Sequence, residues 1–125
     1  MSAMKLQKLV YYCQAWSLVW EDRPLFPEAI EAWASGPVVP ELYREHKGMF
    51  LLKEWVLGRS RNLSDDDQET VDIVLRKYAH RNAQWLSELT HREAPWKDAR
   101  RGLAPGELGD VEITHAAMSE YYSSL

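Results

Sequence analysis

Six prolines divide this chain before any other residue is considered. Pro24 and Pro27 interrupt "EDRPLFP", Pro37 and Pro40 frame "PVVP", and Pro95 and Pro105 punctuate the last third. Proline has no N–H to donate and fixes its own φ, so it fits the first turn of a helix and breaks a helix interior. The chain must therefore be assembled from separate short elements. Gly36, whose backbone freedom is unusual and whose helical region is disfavoured by the following Pro37, makes "GPVVPELYREH" read as a stiff reversal that delivers a helix from Pro40. A phosphate cradle would need further glycines and a Lys-Ser or Lys-Thr pair, which this stretch lacks.

Between the breaks, apolar periodicity places the helices. Leu6, Leu9, Val10, Cys13, Trp16, Val19 and Trp20 recur at steps of three and four, which predicts an amphipathic helix over 4–20 with Lys5, Lys8, Gln14 and Ser17 mostly on its polar side. "EAIEAWASG" allows a helical turn or a short extended piece. From Pro40 a helix should run through "ELYREHK", with Leu42 and Tyr43 inward and Gly48 as its stop. A short strand or hairpin arm is expected near Glu54–Leu57. Ser64 is a helix N-cap followed by Asp65, Asp66, Asp67 and Glu69, and helix should continue to about His80 with Val71, Val74, Leu75 and Tyr78 as its apolar stripe. Asn82 caps a helix bearing Trp85, Leu86 and Leu89, Pro95 starts a shorter one, and "THREA" joins them. "GLAPGELGD" reads as loop, and Thr114 caps a last helix bearing Ala117, Met118, Tyr121 and Tyr122. The expected architecture is mainly α: a single-domain multi-helix fold over residues 1–125, with room for a short β-hairpin or strand pair.

At 125 residues, 46% hydrophobic and 27% charged, the chain can bury a core as one domain without metal or disulfides. Cys13 is its single cysteine, which excludes an internal disulfide and a cysteine-based zinc framework and points to a reducing compartment. Lys5, Gln7 and Lys8 interrupt "MSAMKLQKLVYY" before a signal peptide's apolar region can form, and no stretch reaches spanning length, so a cytoplasmic protein without a membrane partner is expected. A formal charge of −4 argues against a broad grip on nucleic acid. The basic residues Arg76, Lys77 and Arg81, and Arg92, Lys97, Arg100 and Arg101, have acids nearby and read as solvated helix faces.

No catalytic motif assembles. "HREAP" contains the H-x-E of zinc deaminases, but no cysteine follows Cys13 to complete the metal site. His46, His80, His91 and His115 do not form H-E-x-x-H, and no serine lies in G-x-S-x-G. Cys13, among apolar residues, reads as an inert core thiol. Neither a metal nor a cofactor is expected. The oddity is aromatic: six Trp and six Tyr against two Phe, side chains that join an apolar body to a polar handle and serve both wet-edged cores and protein interfaces. Tyr11, Trp55 and Trp96 stand in less apolar surroundings than the others.

Three segments, "MKLQKLVYYCQAWSL", "PLFPEAIEAWASGPVVPELYREHK" and "LSELTHREAPWKDAR", taken in this order and spacing, resemble the Panacea domain of prokaryotic and phage-associated proteins. Lys5, Lys8, Tyr12, Trp16, Trp33, Gly36, Pro37, Tyr43, His91, Pro95 and Trp96 carry the resemblance. It implies a compact, mainly helical antitoxin that neutralises a cognate protein toxin by direct contact, and in one branch of the family an adaptor that delivers the toxin to the ClpXP protease. The expected toxin-binding residues are Tyr11, Tyr12, Trp16, Trp33, Tyr43, Trp55, His91 and Trp96. Two other classes stay open beside it: a small hydrolase using His91 and Glu93 in a polar cleft, and a DNA-binding regulator, for which no helix carries a clear base-reading pattern.

Overall fold

The structure is a computed structural model that describes residues 2–45 and 64–125. Helix α1 spans Ala3–Trp20, β1 Ile30–Trp33, β2 Gly36–Val38, α2 Pro40–Glu45, α3 Asp65–Tyr78, α4 Ala83–Arg92, α5 Ala94–Ala99, β3 Glu112–Ile113 and α6 His115–Ser123. The fold is mainly helical with a small antiparallel sheet, as the proline spacing and periodicity predict. The expected helix stop at Gly48, the strand near Glu54–Leu57, and His46, Lys47 and Trp55 lie outside the described residues.

Helix α1 starts where the Ser2 hydroxyl accepts from the Lys5 N–H at 3.2 Å, and it becomes the centre of the molecule. It is packed by α3, α4, α6 and β2, so every residue from Leu6 to Leu18 is buried. The expectation of a polar outer side is corrected here: Lys8, Gln14 and Ser17 are all inside. Enclosure on all sides leaves no face for solvent, and two of these polar groups instead satisfy backbone of the following loop. Gln14 Oε1 accepts from Leu25 N at 2.8 Å and Phe26 N at 3.2 Å, while its Nε2 donates to Phe26 O at 2.9 Å. Ser17 Oγ donates to Arg23 O at 2.9 Å. Gln7 serves Val39 in the same way, accepting from its N–H at 2.8 Å. Buried backbone groups require such partners, which makes these side chains part of the chain path.

The sheet has the order β2-β1-β3, both pairs antiparallel. Trp33 faces Gly36 in register, and Ala34 and Ser35 make the reversal between them. "EAIEAWASG" thus resolves to the extended alternative. The Gly36–Pro37 corner is corrected to a hairpin arm, with the helix delivered one step later by Pro40. Pro37 is tolerated because β2 is an edge strand among the described residues and needs no further donor there. In α2, Leu42 is buried as expected, but Tyr43 is 55% exposed. A six-residue helix has one inner side, and Leu42 fills it.

Helix α3 opens with a capping box: Ser64 Oγ accepts from Asp67 N at 3.1 Å, and Asp67 Oδ2 accepts from Ser64 N at 3.1 Å. Asp67 is itself buried and accepts from Arg23 at 2.7 Å, tying the proline loop to this helix start. The helix ends at Tyr78, and Lys5 Nζ donates to the Ala79 carbonyl at its end. Asn82 caps α4 as predicted, with Oδ1 accepting from Trp85 N at 2.8 Å. "THREA" is not a linker, however: α4 runs through Arg92 and only Glu93, with extended φ and ψ, separates it from α5. Pro95 cannot donate back to a preceding turn, so the break must fall just before it. Arg100 is a further correction, because it is buried rather than solvated and donates to the Ala32 carbonyl at 3.0 Å and to the Glu107 carbonyl. Thr114 caps α6, whose Met118 and Tyr122 join the buried apolar side chains of α1, α3, α4 and the sheet in one cluster.

Candidate functional site

Four of the expected contact residues form a chain of contacts beside the sheet. The Tyr43 and Trp33 rings meet edge to face with centroids 5.0 Å apart. Trp96 Nε1 donates to the Trp33 carbonyl at 2.8 Å, and the Trp96 ring stacks on His91 at 4.0 Å, nearly parallel at 7°. Trp33, His91 and Trp96 are half-buried. Trp33 Nε1 is held by Glu31 Oε1 at 2.8 Å. Glu31, Trp33 and Ala34 continue into a groove of about 470 Å³ closed by Leu108, Gly109 and Asp110, where Leu108 is 90% exposed. These aromatics and the exposed leucine beside them form an apolar patch on the surface.

Behind this ridge lies a buried tyrosine network centred on Glu93. Tyr12 donates to Glu93 Oε1 at 2.5 Å and Tyr122 to the same oxygen at 2.8 Å. With the Tyr122 proton committed to Glu93, the 3.0 Å contact between the Tyr11 and Tyr122 hydroxyls has Tyr11 as donor. Tyr12 stacks on Tyr78 at 4.3 Å, and Tyr78 accepts from Trp16 Nε1 at 3.1 Å. Burial raises the Glu93 carboxyl above the usual range, against the opposing pull of the two tyrosine hydrogen bonds. Burial likewise pushes the Tyr78 hydroxyl up to about 12 and holds Tyr11, Tyr12 and Tyr122 protonated. The network clamps the start of α5 to α1 and α6. This explains why Glu93, in the N-cap position of α5, makes no cap hydrogen bond with its side chain.

The third feature is Lys8. It is wholly buried, and its Nζ has no hydrogen-bond partner among the described residues. Desolvation lowers it from 10.5 to about 8, so at neutral pH it is still an ammonium. It lies against Gly36, where any Cβ would stand 2.9 Å from Nζ. His91, next to Thr90 on α4, is lowered first by burial and further by the Lys8 and Arg100 charges, against the raising effect of a hydrogen bond with the Ser35 backbone.

The comparison with protein families matches residues 6–97 to the antitoxin SocA-like family, Panacea domain. The chain belongs to that family. No curated protein and no solved structure matches it. In this Panacea domain the matched span carries α1, the sheet's hairpin, the aromatic ridge and Glu93. Helix α6, beyond the match, still supplies Tyr122 to the Glu93 network.

The eight aromatic and histidine positions named from sequence therefore separate. Tyr43, Trp33, Trp96 and His91 come together on the ridge. Tyr11, Tyr12 and Trp16 have at most 7% exposure and act in the interior. Trp55 lies outside the described residues. His91 and Glu93 do not form an acid–base pair: His91 stacks on Trp96 with Nε2 3.5 Å from Ser87 Oγ, whereas Glu93 is turned into the tyrosine network. Among the described residues no group of three or more His, Cys, Asp or Glu is placed to hold a metal ion, and no helix is long and apolar enough to cross a membrane.

Two functional candidates were missed from sequence, Lys8 and the Glu93 clamp. For Lys8 a signal existed. Four of its neighbours along the same helical face, Met4, Tyr11, Tyr12 and Ala15, are apolar or aromatic, which places Lys8 beside the apolar side of α1 in spite of Lys5. The Glu93 clamp had no comparable local signal, because its partners lie 81 and 29 residues away.

Proposed function

We propose that this Panacea domain neutralises a cognate protein toxin by binding it directly, with Tyr43, Trp33, Trp96 and His91 and the adjoining groove at Leu108 as the contact face. The observation that carries this reading is the unbroken sequence of contacts from Tyr43 through Trp33 and Trp96 to His91 on a half-exposed ridge. Aromatic anchors held by their neighbours lose little freedom on binding and dominate interface energetics. A specific interface covers on the order of 800 Å² of each partner, which the ridge and groove together would nucleate. Neutralisation by occlusion needs no catalytic group, consistent with the separate engagement of His91 and Glu93.

The test is co-expression with the product of the neighbouring gene, scoring growth rescue and co-purification together. Tyr43→Ala and Trp33→Ala should each weaken the complex by at least about tenfold, a loss of 1.4 kcal/mol or more at a contact of this kind. Glu69→Ala, on the exposed part of α3, serves as the control. Rescue by both ridge variants with an undiminished complex would move the interface elsewhere. Toxin half-life measured with and without ClpXP distinguishes occlusion, which leaves it unchanged, from delivery to the protease, which shortens it.

A further inference from the structure

A small cleft of about 200 Å³ is walled by Met4, Lys8, Ser35, Ala83, Gln84 and Ser87. Two features converge on it, the buried Lys8 with the space that Gly36 leaves for it, and the start of a helix. Lys8 brings an ammonium that has no hydrogen-bond partner among the described residues and no solvent exposure. Gly36 makes the room for that ammonium, since a Cβ there would lie 2.7 Å from Lys8 Cε. Ala83 and Gln84 are the first two residues of the ten-residue helix α4. The Asn82 side chain takes the Trp85 N–H and its carbonyl takes the Leu86 N–H, so the N–H groups of Ala83 and Gln84 have no acceptor within the helix.

We propose that this cleft is a receptor for a carboxylate, with the Lys8 ammonium as its cation and the start of α4 as its second source of positive potential. An isolated buried ammonium is costly, and an incoming anion supplies the partner that Lys8 Nζ lacks among the described residues. Helix starts favour anions through unpaired N–H groups and the helix dipole. The charge is suited to a singly ionised group. Among the described residues only one cation lines the cleft, and Gln84 already donates to Glu88 Oε1 at 3.1 Å, which keeps a negative charge near the rim. A phosphate dianion would be under-compensated there. Ser35 and Ser87 add hydroxyls to the same wall, and Ser87 Oγ already reaches Ser35 O at 3.3 Å. The carboxylate can belong to a free small acid or to a protein chain, and the chemistry of the cleft does not depend on the toxin reading.

The experiment uses the full chain and follows the Lys8 Cε resonance by NMR. Formate, acetate and a short peptide with one carboxylate at its end are added separately, with the amidated peptide and inorganic phosphate as contrasts. The expected result is a saturable shift of Lys8 Cε with a carboxylate probe and an upward move of the Lys8 titration midpoint. Binding by acetate and formate alone assigns a free small acid, and stronger binding by the free-ended peptide than by the amidated one assigns a protein chain. Lys8→Met, which keeps the length of the side chain without its charge, should abolish binding with the amide spectrum elsewhere preserved. Gln84→Glu, at an exposed position, should weaken acetate binding about tenfold in a protein of unchanged fold. A shift with phosphate but none with any carboxylate overturns the assignment, as does the absence of any shift.

Discussion

Gly36 and Lys8 occupy adjoining space so closely that neither position is independent of the other: a Cβ at residue 36 would stand 2.7 Å from Lys8 Cε and 2.9 Å from its Nζ. Gly36 also has φ of +131°, which side-chained residues rarely adopt. Gly36→Ala should therefore cost about 3 kcal/mol, part backbone strain and part overlap. Adding Lys8→Ala should relieve the overlap and leave the strain, so the double variant costs less than the sum of the two. Urea denaturation of the four proteins measures this, and strict additivity would show that the overlap contributes nothing.

Lys8 should also give stability a distinctive rise with pH. Its folded value is about 8 against an ordinary 10.5, so between these values the unfolded chain holds a proton that the folded chain has released. Stability then rises with pH across that window, by at most about 3 kcal/mol, while below it the unfavourable contribution is constant. Lys8→Met should be more stable than the parent at pH 7 and should lack the rise. Parallel stability–pH curves for the two proteins would count against a buried, titrating Lys8.

Glu93 predicts the opposite slope. Its folded carboxyl is raised, chiefly by burial, so the folded chain retains a proton that the unfolded chain releases above about 4.5. Its favourable contribution is full below that value and declines as pH rises through the folded one. Glu93→Gln keeps a carbonyl for the Tyr12 and Tyr122 hydroxyls and should remove this decline. Glu93→Ala leaves both hydroxyls without their acceptor and should cost about 3 kcal/mol. Chemical denaturation from the acid range to neutrality compares the three.

Gln14 provides a test of the buried polar scaffold. Its side chain satisfies Leu25 N, Phe26 N and Phe26 O at once. Gln14→Leu preserves the volume but orphans these groups, with an expected loss of about 3 kcal/mol and faster hydrogen exchange at Leu25 and Phe26. Unchanged exchange would mean the loop holds its path without the glutamine.

Much of this architecture was readable because it is local. Ser64, Asn82 and Thr114 act as caps where the sequence places them, and the stripe from Val71 to Tyr78 packs inward, since a cap or a stripe depends on residues one turn away. The sheet was harder, because a two-residue strand such as Glu112–Ile113 has no period to detect. The polar residues of α1 misled for a physical reason: an enclosed helix uses Gln7, Gln14 and Ser17 to serve the backbone of distant loops, and that demand is invisible along the sequence. Within the candidate site, the expected contact set already held Trp33, Tyr43, His91 and Trp96, but it set Tyr11, Tyr12 and Trp16 beside them. Exposure, which depends on the whole packing, separates the two sets.

The enclosure of α1 also constrains the order in which this molecule can be made. Helix α1 is synthesised before its neighbour α6, and the Tyr11–Tyr122 contact joins residues 111 positions apart. Contacts this distant delay folding, since the intervening chain must be present before they reward the loss of its freedom. On the ribosome, α1 must therefore wait with part of its apolar surface open, a substrate for chaperones and proteases until Thr114 and the residues after it emerge. A nascent chain stalled before that point would carry the ridge residues Trp33, Tyr43, His91 and Trp96 without the helix that closes the core behind them.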